Sequence, residues 1–390
     1  MIPEKLMAVA GEKSGDLHAS RIIKSLKELS PSIEIFGVGG ERMAQSGAEI
    51  LIDITGLAVT GFTEVLKSYF KFRRLFHFLI ETARQRKPDA VLLVDYPGFN
   101  LKLAAALKPL GIKVIYFVSP QIWAWGRNRI RKMRKFIDQM IVVFDFEVPL
   151  YERAGINVTF VGHPLADALA PTMSRDEFRR KIGIPDSAKV VAILPGSRLN
   201  EVSRHVPVMG KAAELIYRRV SGAQFLLPAA SQELAGECQR LLEKHRVSAP
   251  IRILNDSVYD AISASDAAIV SSGTATLETG CLGVPLVVIY KVSPLTYLIA
   301  RRLVTISNIG LINIVAGKTI APEFIQNRAR PEQIADQIVE FLTDPSLRKG
   351  VSRELPDVKA KLGPPGAPQR AAQVILNAIR QGRQGERKSP

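Results

Sequence analysis

Four short stretches carry side chains and spacings suited to holding phosphate or moving a proton. The first, Gly11-Glu12-Lys13-Ser14-Gly15-Asp16, lies between the apolar run Leu6–Ala10 and a helical pattern. A glycine-bearing turn there lets backbone N–H groups, around Ser14 and Gly15, approach a ligand at a helix N-terminus. The spacing is neither G-x-G-x-x-G nor the P-loop pattern, which disfavours NAD and ATP. A tight turn with Asp16 as N-cap explains the same residues equally well. The second stretch, Asp95-Tyr96-Pro97-Gly98-Phe99-Asn100, directly follows Ala90–Val94. A carboxylate at the C-terminal end of a parallel strand faces the ligand crevice, where Asp95 can act as general base toward a sugar hydroxyl. A turn-forming Asp before a helix capped near Asn100 is the competing reading.

The third stretch, Pro195-Gly196-Ser197-Arg198, follows Val190–Leu194 and precedes a helix beginning near Glu201. Small residues free backbone donors, and Arg198 supplies a planar fork suited to phosphate. The fourth is Ser271-Ser272-Gly273-Thr274-Ala275-Thr276-Leu277-Glu278. Hydroxyls and a glycine at a helix start make a diphosphate cradle, where the helix dipole offsets negative charge. Glu278, one turn in, can accept from ribose hydroxyls; an ordinary capped helix start is the plainer alternative. Phosphate-friendly loops thus fall in the second half and acidic groups in the first, which suits a nucleotide-sugar donor opposite an acceptor. No cofactor is called for. Metal has little support: Asp145-Phe146-Glu147 has the look of a D-x-D but reads better as a strand end with capping acids. The five histidines are scattered, although His18 and His163 fall near loops where either can touch phosphate.

The elements that must position these loops are legible as alternation. Short β-branched apolar runs recur near 6–10, 34–38, 90–94, 113–117, 139–144 and 158–161, with helical patterns such as 17–29 and 100–107 between them. After a loop-like break at 162–174, which ends in a candidate N-cap at Ser174, the runs restart near 190–194, 224–227, 251–254, 267–270 and 284–289. This is the pattern of parallel sheets covered on both faces. The expected architecture is α/β, with two Rossmann-like domains at 1–165 and 174–362 facing across a cleft. The helical spacing of Ala371, Val374, Ile375 and Ala378 predicts that a last helix, about 367–381, docks back on the first domain.

Bulk properties bound the class. The chain has 390 residues, 47% hydrophobic and 23% charged, which places it among globular proteins of two domains. Two cysteines, Cys238 and Cys281, exclude a disulfide framework and favour a reducing compartment. The first apolar stretch is too short for an export signal and no run is long enough to span a bilayer, so a soluble or peripheral cytoplasmic protein is expected. A formal charge of +16 suits an anionic membrane or a phosphorylated substrate. No nucleic-acid module is visible, so nucleic acid is not an expected partner.

Residues Phe62–Ile80 offer a membrane contact. Phe62, Val65, Tyr69, Phe72, Phe76 and Leu79 form one apolar stripe at helical spacing, as a core-facing helix does. Lys67, Lys71 and Arg74 fall on the opposite face together with Phe70 and Phe78, flanked by Leu66 and Leu75. Aromatics among lysines suit a helix lying at a bilayer interface; a second helix covering that face is the alternative.

Taken in order, these motifs resemble the lipid-A-disaccharide synthases. The resemblance also runs through Val118-Ser119-Pro120-Gln121-Ile122-Trp123-Ala124-Trp125, its most specific stretch, Phe160-Val161-Gly162-His163-Pro164 and Asn313-Ile314-Val315-Ala316-Gly317, so it spans residues 11 to 317. It implies a GT-B fold and an inverting, metal-independent transfer at the inner membrane surface. A 2,3-diacylglucosamine unit would pass from UDP to the 6-hydroxyl of 2,3-diacylglucosamine 1-phosphate, giving a β-1,6 disaccharide phosphate and UDP. Asp95 would be the base, with Asp16 or Glu12 behind it, because Gly98 stands where some families carry a second acid. Arg198, Glu278 and Asn313 would hold UDP. The other readings are a second GT-B enzyme using UDP-N-acetylglucosamine (a 2-epimerase or a peptidoglycan-precursor transferase) and a non-catalytic basic surface-binding protein.

Overall fold

The computed structural model describes residues 3–53, 62–124, 129–294, 296–298 and 307–386, and within these the side chains of 62–69 and 384–386 are not described. The chain forms two compact units, one built from the stretch up to Ala166 together with the stretch from Leu362, the other from Asp167–Lys361.

In the first unit the order is β1 (Lys5–Ala10), α1 (Lys13–Leu29), β2 (Glu34–Gly39), α2 (Glu41–Gln45), β3 (Glu49–Asp53), α3 (Phe62–Arg86), β4 (Ala90–Val94), α4 (Pro97–Leu107), β5 (Lys113–Phe117), α5 (Arg129–Phe136), β6 (Gln139–Val142), α6 (Val148–Arg153) and β7 (Val158–Phe160). The strands pair in the order β3-β2-β1-β4-β5-β6-β7, all parallel. Strand residues such as Met7, Val9, Val91 and Leu93 face one way, and α3, α4, α5 and α6 cover them. Alternation sends Leu6, Ala8 and Leu92 to the other face, which meets α1. The β2–β3 pair adds a short strand that apolar runs alone did not mark, and β6 and β7 end earlier than those runs suggested.

A short helix α7 (Leu165–Ala168) leads into the second unit: α8 (Arg175–Lys181), β8 (Val190–Leu194), α9 (Leu199–Arg219), β9 (Gln224–Ala229), α10 (Gln232–Lys244), β10 (Ile251–Asn255), α11 (Val258–Ser263), β11 (Ala267–Ser271), α12 (Thr274–Cys281), β12 (Leu286–Tyr290), α13 (Leu311–Ala316), β13 (Glu323–Ile325), α14 (Pro331–Thr343) and α15 (Pro345–Lys361). Ser174 caps α8 in a reciprocal box with Glu177. The parallel sheet runs β10-β9-β8-β11-β12-β13. Its inner strands β9, β8, β11 and β12 are apolar and buried almost along their length, as strands covered on both faces must be, while the edge strands β10 and β13 are only partly buried.

The last helix, α16 (Ala367–Glu386), belongs to the first unit. It buries Ala371, Ala372, Ile375, Leu376 and Ile379 and lies along α1, where Ile22, Ile23 and Leu26 are also buried. Arg383 pairs with Asp89 at 2.7 Å, Arg380 with Glu4 at 2.8 Å, and Arg370 Nε donates to the Val161 carbonyl at 2.8 Å.

Each sheet reverses its strand order once. In the first unit the reversal lies between β1 and β4, in the second between β8 and β11. Registers Ala10↔Val94 and Leu194↔Val270 bring Gly11 beside Asp95 and Pro195 beside Ser271. Parallel sheets bind ligands where the order reverses, because the loops there part and leave a crevice. All four sequence motifs occupy these two places.

Candidate active site

In the first unit Asp95 and Tyr96 leave β4 with φ of +48° and +47°, a left-handed pair of non-glycine residues. The turn persists because its backbone is held on several sides. Asp95 N–H donates to the Phe117 carbonyl at 3.0 Å. The Asp95 carbonyl accepts from Tyr116 Oη at 2.6 Å and from Asn100 Nδ2 at 2.8 Å. The side-chain carboxyl is left facing the loop ends. Burial pushes it above the usual carboxylate range, the Tyr96 N–H opposes this, and the charge of Glu12 adds to the rise. Glu12 is exposed at the start of α1, so the structure brings two of the sequence-identified acids together. Gly11 is fixed in type by this contact: a Cβ there would lie 2.7 Å from the Tyr96 ring.

The remaining candidates of this unit do structural work. Asp16 is not an N-cap of its own helix and is not a free acid. It is 5% exposed and accepts from the backbone N–H groups of Gly40 at 2.8 Å, Met43 at 3.2 Å and Arg42 at 3.3 Å, so it caps α2. Gly15 packs under the first turn of α1 against Ala10 and Val94, leaving Ser14 as the exposed residue of the pair. Asn100 is inside α4, fully buried, and spends its amide on the carbonyls of Val94 and Asp95. It supports the turn that carries Asp95. His18 and His163 are both pushed down to about 4, chiefly by burial, so their imidazoles are neutral at pH 7.

Sequence reasoning missed Glu147 as part of this edge. It is 2% exposed, and its Oε1 accepts from Ser119 Oγ and, at 3.2 Å, from Trp123 Nε1. Burial pushes its carboxyl up to about 7, and the donors around it offset that only in part. Only its place beside a hydroxyl and an indole 28 and 24 residues upstream in sequence reveals the role. The folded state keeps a proton on Glu147 that the unfolded chain releases near 4.5. Its favourable contribution is therefore complete below that value and lost as pH rises through about 7, a change of about 3 kcal/mol. Glu147→Gln should remove this slope, so urea unfolding followed by tryptophan emission should favour the variant at pH 8 and not at pH 4. Parallel pH dependences in the two proteins would discount the burial of this charge.

In the second unit Gly196 has φ +122°, which lets the Gly-Ser-Arg loop turn its N–H groups outward. Glu201 from the first turn of α9 reaches back: Ser197 N–H donates to its Oε2 at 3.1 Å and Arg198 to its Oε1 at 3.2 Å. A carboxylate thus sits on the same donors that an incoming phosphate oxygen would use. Arg198 itself is 74% exposed. Buried His205, another residue the sequence did not mark, lies 2.8 Å from the Pro195 carbonyl and accepts from Lys291 N–H at 3.1 Å, pinning this loop to the end of β12.

Gly273 starts α12 at φ +154°. Ser272 donates its hydroxyl to the Ile309 carbonyl at 2.9 Å and Thr276 donates to Gly273 at 2.8 Å, so those two hydroxyl protons are taken. What this end offers an anion is the first-turn N–H groups of Thr274 and Ala275, which have no intrahelical acceptor, and the exposed Thr274 side chain. Glu278 accepts from Tyr259 Oη at 3.3 Å, and burial raises its carboxyl. Asn313 is corrected: it is fully buried, donates to the Ala321 carbonyl and to Glu323, and accepts from the N–H groups of Ile320 and Ala321. With every side-chain bond spent, it shapes the segment after α13 and has none left for UDP. Among the described residues no three His, Cys, Asp or Glu side chains cluster as a metal site.

On α3, Leu75 and Leu79 are buried and Phe72 and Phe76 pack with them against the sheet. The Phe72 ring lies 6.0 Å from both Tyr96 and Phe99, which ties this helix to the turn carrying Asp95. Leu75 therefore belongs to the core side. Phe70, Lys71, Arg74 and Phe78 are exposed, Phe70 by 58% and Phe78 by 40%; the side chains of Leu66 and Lys67 lie outside the described ones. No helix among the described residues is long and apolar enough to cross a membrane.

The profile of the family described as lipid-A-disaccharide synthetase matches residues 6–364. The lipid-A-disaccharide synthase of Syntrophus aciditrophicus is 45% identical over 96% of this chain and 98% of its own, and that of Trichlorobacter lovleyi 42% over 97% and 98%. Among solved structures, a glycosyltransferase from Rickettsia africae superposes with a TM-score of 0.60 at 12% identity, covering 97% of this chain and 99% of that one. The fold is thus GT-B, the phosphate-suited loops and the acidic turn each stand where their sheet reverses, and the chain belongs to the lipid-A-disaccharide synthase family of glycosyltransferases.

Proposed function

We propose that the protein moves 2,3-diacylglucosamine from UDP to the 6-hydroxyl of 2,3-diacylglucosamine 1-phosphate with inversion, at the cytoplasmic surface of the inner membrane and without a metal. The observations that carry this reading are a partly buried carboxyl, raised by burial, at the switch point of one unit and two anion-suited loops at the switch point of the other. The second unit holds UDP: Arg198, Ser197 N–H and the first turn of α12 take the diphosphate, displacing the Glu201 carboxylate, and Glu278 takes ribose hydroxyls. The first unit holds the acceptor. Asp95 removes the proton of the 6-hydroxyl as its oxygen bonds to C1 of the donor, and the C1–O bond pair leaves with UDP. Burial that raises Asp95 also makes it a stronger base. Incubating the protein with both acylated sugars should release UDP and yield a disaccharide phosphate. Donor breakdown that ignores the acceptor, or turnover of UDP-N-acetylglucosamine in place of the acylated donor, would overturn the reading.

The acyl chains call for a membrane contact, and α3 supports one. Each basic residue near an anionic leaflet contributes about 1 kcal/mol, so Lys67, Lys71 and Arg74 give reversible, salt-sensitive attachment. Exposed Phe70 and Phe78 on the same helix add apolar area at the interface. Co-sedimentation with anionic vesicles should fall in a folded Lys67→Glu, Phe70→Ser, Lys71→Glu variant, with a higher KM for acylated acceptor. Unchanged sedimentation and KM would assign the contact elsewhere.

A further inference from the structure

The Ser-Pro-x-x-Trp stretch is among those that carry the resemblance in sequence, yet nothing above gives it a task. It leaves β5, whose neighbour β4 carries Asp95, and Asp95 N–H bonds back to Phe117 just before it. Ser119 and Trp123 both donate to Glu147 Oε1, the indole at 3.2 Å. Glu147 closes the turn after β6, and its Oε2 is buried with no partner at hydrogen-bonding geometry. Tyr151, on α6, is the titratable neighbour; its hydroxyl is also buried without a partner and its proton is held by burial and by the charge of Glu147. A carboxyl sunk this deep is an expensive way to anchor a loop unless the loop's position matters.

What it anchors is one end of a row of rings. Trp123 meets Phe146 edge-on at 5.5 Å between centroids, Phe146 stacks on Phe144 at 5.3 Å, and Phe144 lies 4.8 Å from His163. The row crosses the loops after β5, β6 and β7, all at the C-terminal edge of the sheet where a parallel sheet meets its ligand. Trp123, Phe146 and His163 are partly exposed, so the row presents ring surface there. Rigid aromatics with a few fixed polar groups are what a site for an amphipathic ligand needs.

We propose that Glu147 is a positioning residue for the acceptor: through Ser119 and Trp123 it fixes this aromatic wall, against which the apolar face of the acceptor sugar packs. The inference rests on the reading that the first unit holds the acceptor. Losing a hydrogen bond to a buried acceptor group corresponds to about 10–100-fold in an equilibrium. Glu147→Ala should therefore raise KM for acceptor by about that factor, leave UDP affinity by calorimetry unchanged, and shift tryptophan emission, which comes from Trp123 and Trp125 alone. Glu147→Gln keeps an oxygen for both donors and should restore KM to within about threefold of wild type. Should Glu147→Ala fail to fold, Trp123→Phe, which keeps a ring and loses the N–H, should raise acceptor KM in the same direction. Wild-type KM in folded Glu147→Ala or in Trp123→Phe, or a Gln variant as impaired as Ala, overturns the proposal. If wild-type protein releases no UDP from the two acylated sugars, the acceptor reading itself fails, and the two failures are thereby distinguished.

Discussion

Asp95→Asn lowers kcat by about 10²–10⁴-fold, while UDP affinity and the unfolding midpoint stay close to wild type. The turn around Asp95 is held through its backbone, by Phe117, Tyr116 and Asn100, and none of those bonds uses the carboxylate. Asparagine also tolerates φ near +48° better than most residues. The substitution therefore removes the base and little else. The pH profile gives a second readout. Burial and Glu12 raise the Asp95 carboxyl, so the acid limb of kcat/KM should lie above the ordinary carboxylate range, activity rising as the group ionises. Glu12→Gln should move that limb toward lower pH. Near-wild-type turnover in Asp95→Asn would move the base to Glu12, since Asp16 is committed to α2.

Arg198→Ala should cost about 3 kcal/mol in stabilising the leaving diphosphate, a loss of about 10²-fold shared between UDP affinity and turnover. The side chain is largely exposed and its single ion pair, with Glu201, is a surface contact of little worth to stability. Folding should be indifferent to its removal. Arg198→Lys keeps the charge but not the fork, so partial recovery is expected. Activity should persist in EDTA, because the guanidinium, Ser197 N–H and the α12 terminus supply the positive field. Abolition by EDTA with rescue by magnesium or manganese would hand that role to an ion. Full activity in Arg198→Ala would remove the loop from the site.

The sequence was most informative where one strand's chemistry is local. Runs such as Val190–Leu194 are apolar on both faces because both faces are covered, and the loops after them announce themselves by small residues. The turns that carry Asp95 and Arg198 were legible because strand, turn and helix lie within a few residues of one another. Asp16 was misread because its partners, Gly40 and Met43, are 24 and 27 residues away across a neighbouring strand. Asn313, which only the resemblance linked to UDP, spends its amide on four backbone and side-chain bonds that spacing does not show. The roles of Glu147, His205 and Glu323 were not legible either. Glu147 was noticed only as a capping acid beside Asp145, and the roles of all three arise only when packing strips water from them.

The return of α16 to the first unit has a consequence for how the protein comes into being. That unit is made from both ends of the chain, with Asp167–Lys361 inserted between them. On the ribosome, α1 emerges early with Ile22, Ile23 and Leu26 exposed, and the helix that covers them, beginning at Ala367, arrives about 340 residues later. At about 5–20 residues per second this interval lasts on the order of 15–70 s. The inserted unit can finish folding within that time, whereas the first unit must wait with the outer face of α1 uncovered. Birth order thus opposes chain order: the inserted unit is complete first, and the first unit is complete only when Arg370, Arg380 and Arg383 lock the last helix down.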